Sequence, residues 1–177
     1  VYEIRDDETP VNLICDRAIL ALNSVKGNYL NHIAKYNTAL RNSILEEQEL
    51  INDTEKALER REFQVYLQPK CDMRTGKIVG AEALVRWLHP RRGMVSPDTF
   101  IPIFERTGFI LKLDAFVWEQ VCKLLRGWLD KGLPVPPVSV NVSRMDLFVD
   151  DFPGLIIGLV KKYGLDASLL ELEITES

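Results

Sequence analysis

Hydrophobic and polar positions change period several times along the chain, and each change marks an element. Over residues 11–26 the apolar positions Val11, Ile14, Ala18, Ala21, Leu22 and Val25 recur at helical spacing, and Gly27 stands where such a helix ends. Residues 1–4 before it read as the end of a strand followed by an acidic turn. Residues 29–36 after it read as a short strand. A strand, a helix and a strand bury too little to form a core of their own, so this opening reads as the tail of a larger domain. Residues 38–60 are strongly helical and acidic, with Ile44, Ile51 and Leu58 at heptad spacing. Two readings fit that repeat: an amphipathic helix packed on its own domain, or a short coiled-coil seam. Polar Glu47 and Thr54 between the aliphatics favour the first.

From Phe63 the period falls to two. Residues 63–69 form a strand, the run from Asp72 to Gly76 a turn, and residues 78–87 a second strand, a link short enough to predict an antiparallel hairpin. Ser96 and Pro97 then supply an N-cap and a proline at the first helical position, for a helix that runs to Gly108. A longer helix over 112–131 carries Phe116, Val117, Val121, Leu124, Leu125 and Trp128 and closes at Gly132. A strand at 138–142, a helix at 152–163 and a strand at 169–175 complete the order. Helix, strand, helix, strand after a hairpin predicts right-handed crossovers and a parallel sheet.

Strand parity separates an open sheet from a barrel. In residues 138–143 the valines take one face, and Ser139, Asn141 and Ser143 the other. In residues 170–175 the aliphatics oppose Glu171, Glu173 and Thr175. In residues 64–68 the glutamines and Tyr66 oppose Val65 and Leu67, and on the second strand Glu82, Leu84 and Arg86 oppose Ala81, Ala83, Val85 and Trp87. An open sheet covered by helices on both sides is apolar on both faces, whereas a barrel converges its inner face on a site at the strand C-termini. The expected fold is therefore α/β, a partial barrel of the (β/α)8 type.

Composition and charge narrow the chemistry. The chain has 177 residues, 46% hydrophobic and 27% charged, which suits one domain of ordinary size or one domain with a piece of another. No apolar run reaches the length of a membrane span and no leader opens the chain, so the reading is a cytoplasmic protein. Cys15, Cys71 and Cys122 lack paired spacing and have two histidines for company, which argues against a disulfide framework or structural zinc and for buried thiols. The net charge of −4 belongs to residues 1–60, with 7 basic against 11 acidic side chains; the remainder holds 15 of each. That balance excludes a protein that tracks a nucleic-acid backbone. A small anion could still meet Arg86, His89, Arg91 and Arg92.

Glu82, Asn141 and Glu173 converge if the inner faces do, with Gln68 and Arg86 nearby. Two carboxylates and an amide without His or Cys select hard divalent cations, Mg²⁺ or Mn²⁺. The alternatives are an internal Glu82–Arg86 ion pair or a structural polar network, since such networks carry the same signature.

The segments Gln68-Pro69-Lys70, Gly80-Ala81-Glu82-Ala83-Leu84-Val85-Arg86-Trp87, Ser96-Pro97 with Phe100-Ile101-Pro102, Ser139-Val140-Asn141-Val142-Ser143 and Glu173-Ile174-Thr175-Glu176-Ser177 resemble, in order and spacing, the first half of an EAL domain. Residues 1–40 resemble, more weakly, the end of a GGDEF domain. The resemblance implies three parts: a GGDEF-like remnant over 1–40, a connecting helix over 41–61, and the N-terminal half of an EAL domain over 62–177. It implies a modified (β/α)8 barrel with an antiparallel first strand, and hydrolysis of cyclic di-GMP to linear pGpG in bacteria with two Mg²⁺ or Mn²⁺ ions. It further implies that Glu82, Asn141 and Glu173 are metal ligands, that Gln68, Leu84 and Arg86 contact the dinucleotide, and that Glu176 holds an active-site loop. In the family, further acidic ligands and a lysine follow this point. The chain alone is therefore expected to be inactive, and to associate with itself or belong to a longer chain. A non-catalytic cyclic di-GMP receptor and a scaffold acting through the connecting helix are the competing readings.

Overall fold

The computed structural model describes residues 10–26 and 33–174, which fall into two compact units, 1–52 and 53–177. In the first, helix α1 (Val11–Asn23) buries Ala21 fully but leaves Val11 and Leu22 exposed. Arg17 lies 5.6 Å over the ring of Tyr36. Residues 33–36 are not in a strand, against the expectation from the sequence; four residues are too few for alternation to tell a strand from irregular chain. Residues 1–4, Gly27, residues 29–32 and Glu176 lie outside the described residues.

Helix α2 (Thr38–Glu59) begins at Asn37, whose side-chain oxygen accepts from the Leu40 N–H at 2.8 Å. Its buried residues are Leu50, Thr54 and Ala57, an i, i+4, i+7 stripe, while Ile44, Ile51 and Leu58 are half-buried. The apolar face is thus centred beside the heptad positions, as in a helix packed on its own chain.

In the second unit β1 (Phe63–Cys71) and β2 (Ile78–His89) form the predicted hairpin, Phe63 opposite Trp87 and Gln68 opposite Glu82. Strand β3 (Gly93–Val95) pairs with the end of β2; at three residues it is too short to show a period and was not expected. Helix α3 (Pro97–Thr107) starts after Ser96 and ends at Gly108, whose φ of 77° is the left-handed cap that glycine adopts at no steric cost. Helix α4 (Ile110–Asp130), β4 (Val138–Val142), α5 (Phe152–Lys162) and β5 (Leu170–Ile174) follow. The sheet order is β1-β2-β4-β5, with β2, β4 and β5 parallel. This mixed α/β architecture is a partial barrel with an antiparallel first strand.

Two packed layers fix it. On the outer face, Val117, Trp118, Val121, Cys122 and Leu125 of α4 cover Ala81, Ala83, Val138, Val140 and Val142. At the open end of the hairpin, Phe63, Trp87, Phe100 and Phe104 stack with ring centroids 5.1–6.0 Å apart. Glu119 of α4 receives Lys162 and Tyr163 from the end of α5, and these donors hold its carboxyl down at about 2. Cys122 is buried as expected, but Cys15 and Cys71 are exposed, because each occupies the solvent side of its element.

The basic cluster predicted to meet an anion does not assemble. His89 is 3% exposed, its Nδ1 accepts the backbone N–H groups of Arg91 and Arg92, and its Nε2 faces Asp53 at 3.2 Å. Arg91 also pairs with Asp53, while Arg86 lies on the opposite strand face. His89 and Arg91 therefore join β2 to the last turns of α2 and leave Arg86 as the basic group of the inner face near the strand end.

Phe104 is fully buried among four aromatic rings. Phe104→Ala is expected to cost about 3–5 kcal/mol in chemical denaturation, the range for emptying a core aromatic site.

Candidate metal and dinucleotide site

Strand parity delivers the inner face as predicted. Glu82 on β2 sits opposite Gln68 on β1 and Ser139 on β4, and Asn141 on β4 sits opposite Glu173 on β5. Asn141 Nδ2 donates to Glu82 Oε1 at 3.4 Å. The carboxylates are half-buried, which leaves their remaining lone pairs accessible. Trp118 Nε1–H donates to the Asn141 carbonyl at 3.1 Å, so α4 steadies the backbone that carries the amide.

Lys70 enters from β1. Its ammonium donates to Ser139 Oγ at 2.8 Å and to Glu173 Oε1. The Lys70 hydrogen bond, then that of Ser139, lowers the Glu173 carboxyl below its ordinary range; in return Glu173 raises Lys70, helped by the charges of Glu171 and Glu82. The signal for Lys70 lay in its parity, two residues from Gln68 on the same face.

A cavity of about 400 Å³ opens between the C-terminal parts of β2 and β4 and helices α3 and α4, and of the three candidate ligands Asn141 lines it. Leu84, Arg86, Asn141 and Ser143 line it from the strands, and Pro97, Ile101 and Asp114 from the helices. It lies within the size range of ligand pockets. Arg86 is half-buried and its Nη1 donates to the Val85 carbonyl at 2.9 Å, so no Glu82–Arg86 ion pair forms. Gln68 is exposed and does not line the cavity.

Asp114 belongs to a second cluster that strand parity could not show. Asp146, fully inside, accepts from the Ser143 N–H at 2.9 Å and the Ser143 hydroxyl at 2.6 Å. Burial, reinforced by the hydrogen bond and charge of Asp146, pushes the Asp114 carboxyl up to about 8. Burial and the neighbouring Asp146 thus favour the neutral form of Asp114. The sequence signs were an acid beside the buried stripe of α4 and the Ser-x-x-Asp spacing after β4.

The donor set suits a hard cation. Glu82, Glu173 and the amide oxygen that Asn141 presents after a half-turn of its side chain are hard donors on adjacent strands, and Mg²⁺ binds through one or two carboxylates plus water and phosphate. Among the described residues no group of three His, Cys, Asp or Glu side chains is close enough to hold a metal ion, so the amide is a necessary part of this set.

Such a partial barrel, with acidic inner-face residues at its parallel strands and a cavity beside the C-terminal part of β2, defines an α/β-barrel domain of the kind that binds ligands at its strand C-termini. The sequence profile of the EAL domain family matches residues 51–177, and the chain belongs to that family. It is 31% identical over 157 residues to the bifunctional diguanylate cyclase/cyclic di-GMP phosphodiesterase MucR of Pseudomonas aeruginosa, covering 89% of this chain and 23% of that protein. It is 36% identical over 145 residues to the cyclic di-GMP phosphodiesterase PA2567 of the same organism, covering 81% of this chain and 24% of the relative. A structure of the MucR phosphodiesterase in complex with cyclic di-GMP superposes with a TM-score of 0.69 at 35% identity, over 73% of this chain and 52% of that one. The EAL enzyme Bd1971 with cyclic AMP bound gives 0.67 at 30% identity, over 78% and 40%. The chain therefore spans about a quarter of the two curated relatives and about half of the MucR structure.

The raised Asp114 carboxyl has a stability consequence. A carboxyl raised from 3.8 to about 8 supports the fold in its protonated form, fully below the unfolded value and progressively less as pH rises through about 8. Thermal melts from pH 6 to pH 9 are expected to show falling stability, and Asp114→Asn, which stays neutral, is expected to flatten that slope.

Proposed function

We propose that this chain is the N-terminal half of the catalytic domain of a bacterial, cytoplasmic cyclic di-GMP phosphodiesterase, preceded by a connecting helix and the end of a GGDEF-like domain. The observation that carries the reading is the placement of Glu82, Asn141 and Glu173 on one inner face, with Asn141 also lining a cavity that Leu84 and Arg86 line. Among the described residues no helix is long and apolar enough to cross a membrane.

In this reading Glu82, Asn141 and Glu173 hold Mg²⁺ or Mn²⁺, which when bound supplies Lewis acidity and lowers the pKa of water. Arg86 receives a phosphate of the dinucleotide, and its guanidinium fork gives up a backbone carbonyl for two phosphate oxygens. Leu84 and Gln68 bound the substrate on the strand side, and Glu176 holds a neighbouring loop. Hydrolysis of one phosphodiester bond follows: a water oxygen bonds to phosphorus in line, the P–O3′ bond breaks, and the 3′ oxygen leaves with a proton to give linear pGpG. Apolar walls at Pro97 and Ile101 exclude bulk water from the phosphate. The exposed outer-face Leu172 and Ile174 of β5 support association of this chain with itself or with further polypeptide.

A receptor that binds cyclic di-GMP without cleaving it is the second reading. It is favoured by Lys70, which already satisfies Glu173 without a metal.

In the parent protein that contains this chain, cyclic di-GMP is expected to bind in Ca²⁺ and to be hydrolysed in Mg²⁺ or Mn²⁺. Glu82→Gln is expected to lower turnover by at least about 100-fold, the upper range for losing a group that merely supports a metal ligand, with binding in Ca²⁺ retained. Binding without turnover establishes the receptor; neither binding nor turnover rejects both readings. The 177-residue chain alone is expected to give no measurable hydrolysis.

A further inference from the structure

Lys70 is the inner-face cation that the proposed reaction does not use. It stands on β1 opposite Gly80, one level below the Gln68–Glu82 pair, and its ammonium reaches across the sheet to Ser139 on β4 and Glu173 on β5. The Glu171 and Glu82 charges also act on it. Of the three carboxylates on this face, the Lys70 ammonium contacts Glu173, while Glu171 and Glu82 act on it through their charge. The side chains of Lys70 and Glu173 remain 38% and 39% exposed, so the contact can open without dismantling the core.

We infer that Lys70 is a positioning residue that occupies Glu173 as an internal counter-cation and sets how strongly the site takes a divalent ion. The inference rests on the metal reading above. An ammonium carries three donors and one full charge, and it competes for the same carboxylate lone pairs that a hard cation needs. A divalent ion that takes Glu173 must displace the ammonium, which keeps Ser139 as an acceptor and Glu171 as a neighbouring charge. The position of Lys70 beneath the ligand layer gives it two consequences. It holds Glu173 in place before a metal arrives, and it lowers affinity enough that binding follows the free cation concentration.

Titration of Mn²⁺, read by the electron paramagnetic resonance of the free ion, tests this in the intact chain. Lys70→Met keeps length and removes charge, and it is expected to tighten Mn²⁺ binding about tenfold, the scale on which groups behind a metal ligand act. Lys70→Arg, which retains the charge, is expected to stay close to the unaltered chain. Lys77→Met removes an exposed lysine from the hairpin turn and controls for net charge; it is also expected to stay close. Without metal, Lys70→Met should melt lower than the unaltered chain and gain more from Mn²⁺. Should Lys70→Met fail to fold, Lys70→Gln carries the same expectation. If the neutral variants bind Mn²⁺ equally or more weakly than the unaltered chain, the role of Lys70 is overturned and the metal reading stands. If no variant and not the unaltered chain binds Mn²⁺, the metal reading falls and the inference with it.

Discussion

The seating of α4 against the outer face of β2 and β4 decides where every polar side chain of the sheet points. Val117, Val121 and Leu125 recur at helical spacing and meet Ala81, Ala83, Val138, Val140 and Val142, which recur at every second residue. Once these residues go under the helix, Glu82, Ser139, Asn141 and Glu173 have no face left but the inner one. A slip of one residue in β4 would bury Asn141 beneath Trp118 and expose three valines, so the register is strongly determined. The acidic layer is therefore a consequence of hydrophobic packing on the other side of the sheet. Its electrostatic cost is met locally, by Lys70 among the carboxylates and by the amide of Asn141 on Glu82.

Much of this was legible in the sequence because it depends on period. The strand Val138–Val142 falls where alternation placed it, α3 starts after Ser96-Pro97 and stops at Gly108, and the three candidate ligands share a face. What escaped depends on contacts that period cannot encode. His89 reads as a free base beside arginines, yet a partner 36 residues earlier, Asp53, and two backbone N–H groups claim both ring nitrogens. Lys70 reads as a surface lysine until β5 arrives with Glu173. Asp114 and Asp146 sit 32 positions apart, and the upward shift of the Asp114 carboxyl follows from burial beside Asp146 in the tertiary structure.

The outer face also shows where coverage ends. The valines of β4 are fully buried, whereas Leu172 and Ile174, their equivalents on β5, are 40% and 63% exposed. Helix α4 spans β2 and β4, and α5 contributes Ile156, Leu159 and Val160 at the side of that core. Among the described residues no helix covers the far half of β5. The inner face shares this asymmetry: Glu82 and Asn141 lie between strands on both sides, while Glu173 stands on an edge strand. That placement leaves Glu173 with fewer neighbouring strands than Glu82 and Asn141, and Lys70 reaches it across the sheet from β1.

Two acidic clusters flank β4 and are neutralised by opposite means. Opposite Asn141, Glu173 is held in its charged form by the Lys70 ammonium within hydrogen-bonding reach. On the α4 side, burial and the neighbouring Asp146 favour the neutral form of Asp114. The first arrangement keeps negative charge on the inner face, and the second lowers the charge of one carboxyl on a cavity wall that Asp98 and Glu105 also line. Asn141, tied by its carbonyl to Trp118 and by its amide to Glu82, sits between them on a strand that α4 holds rigid.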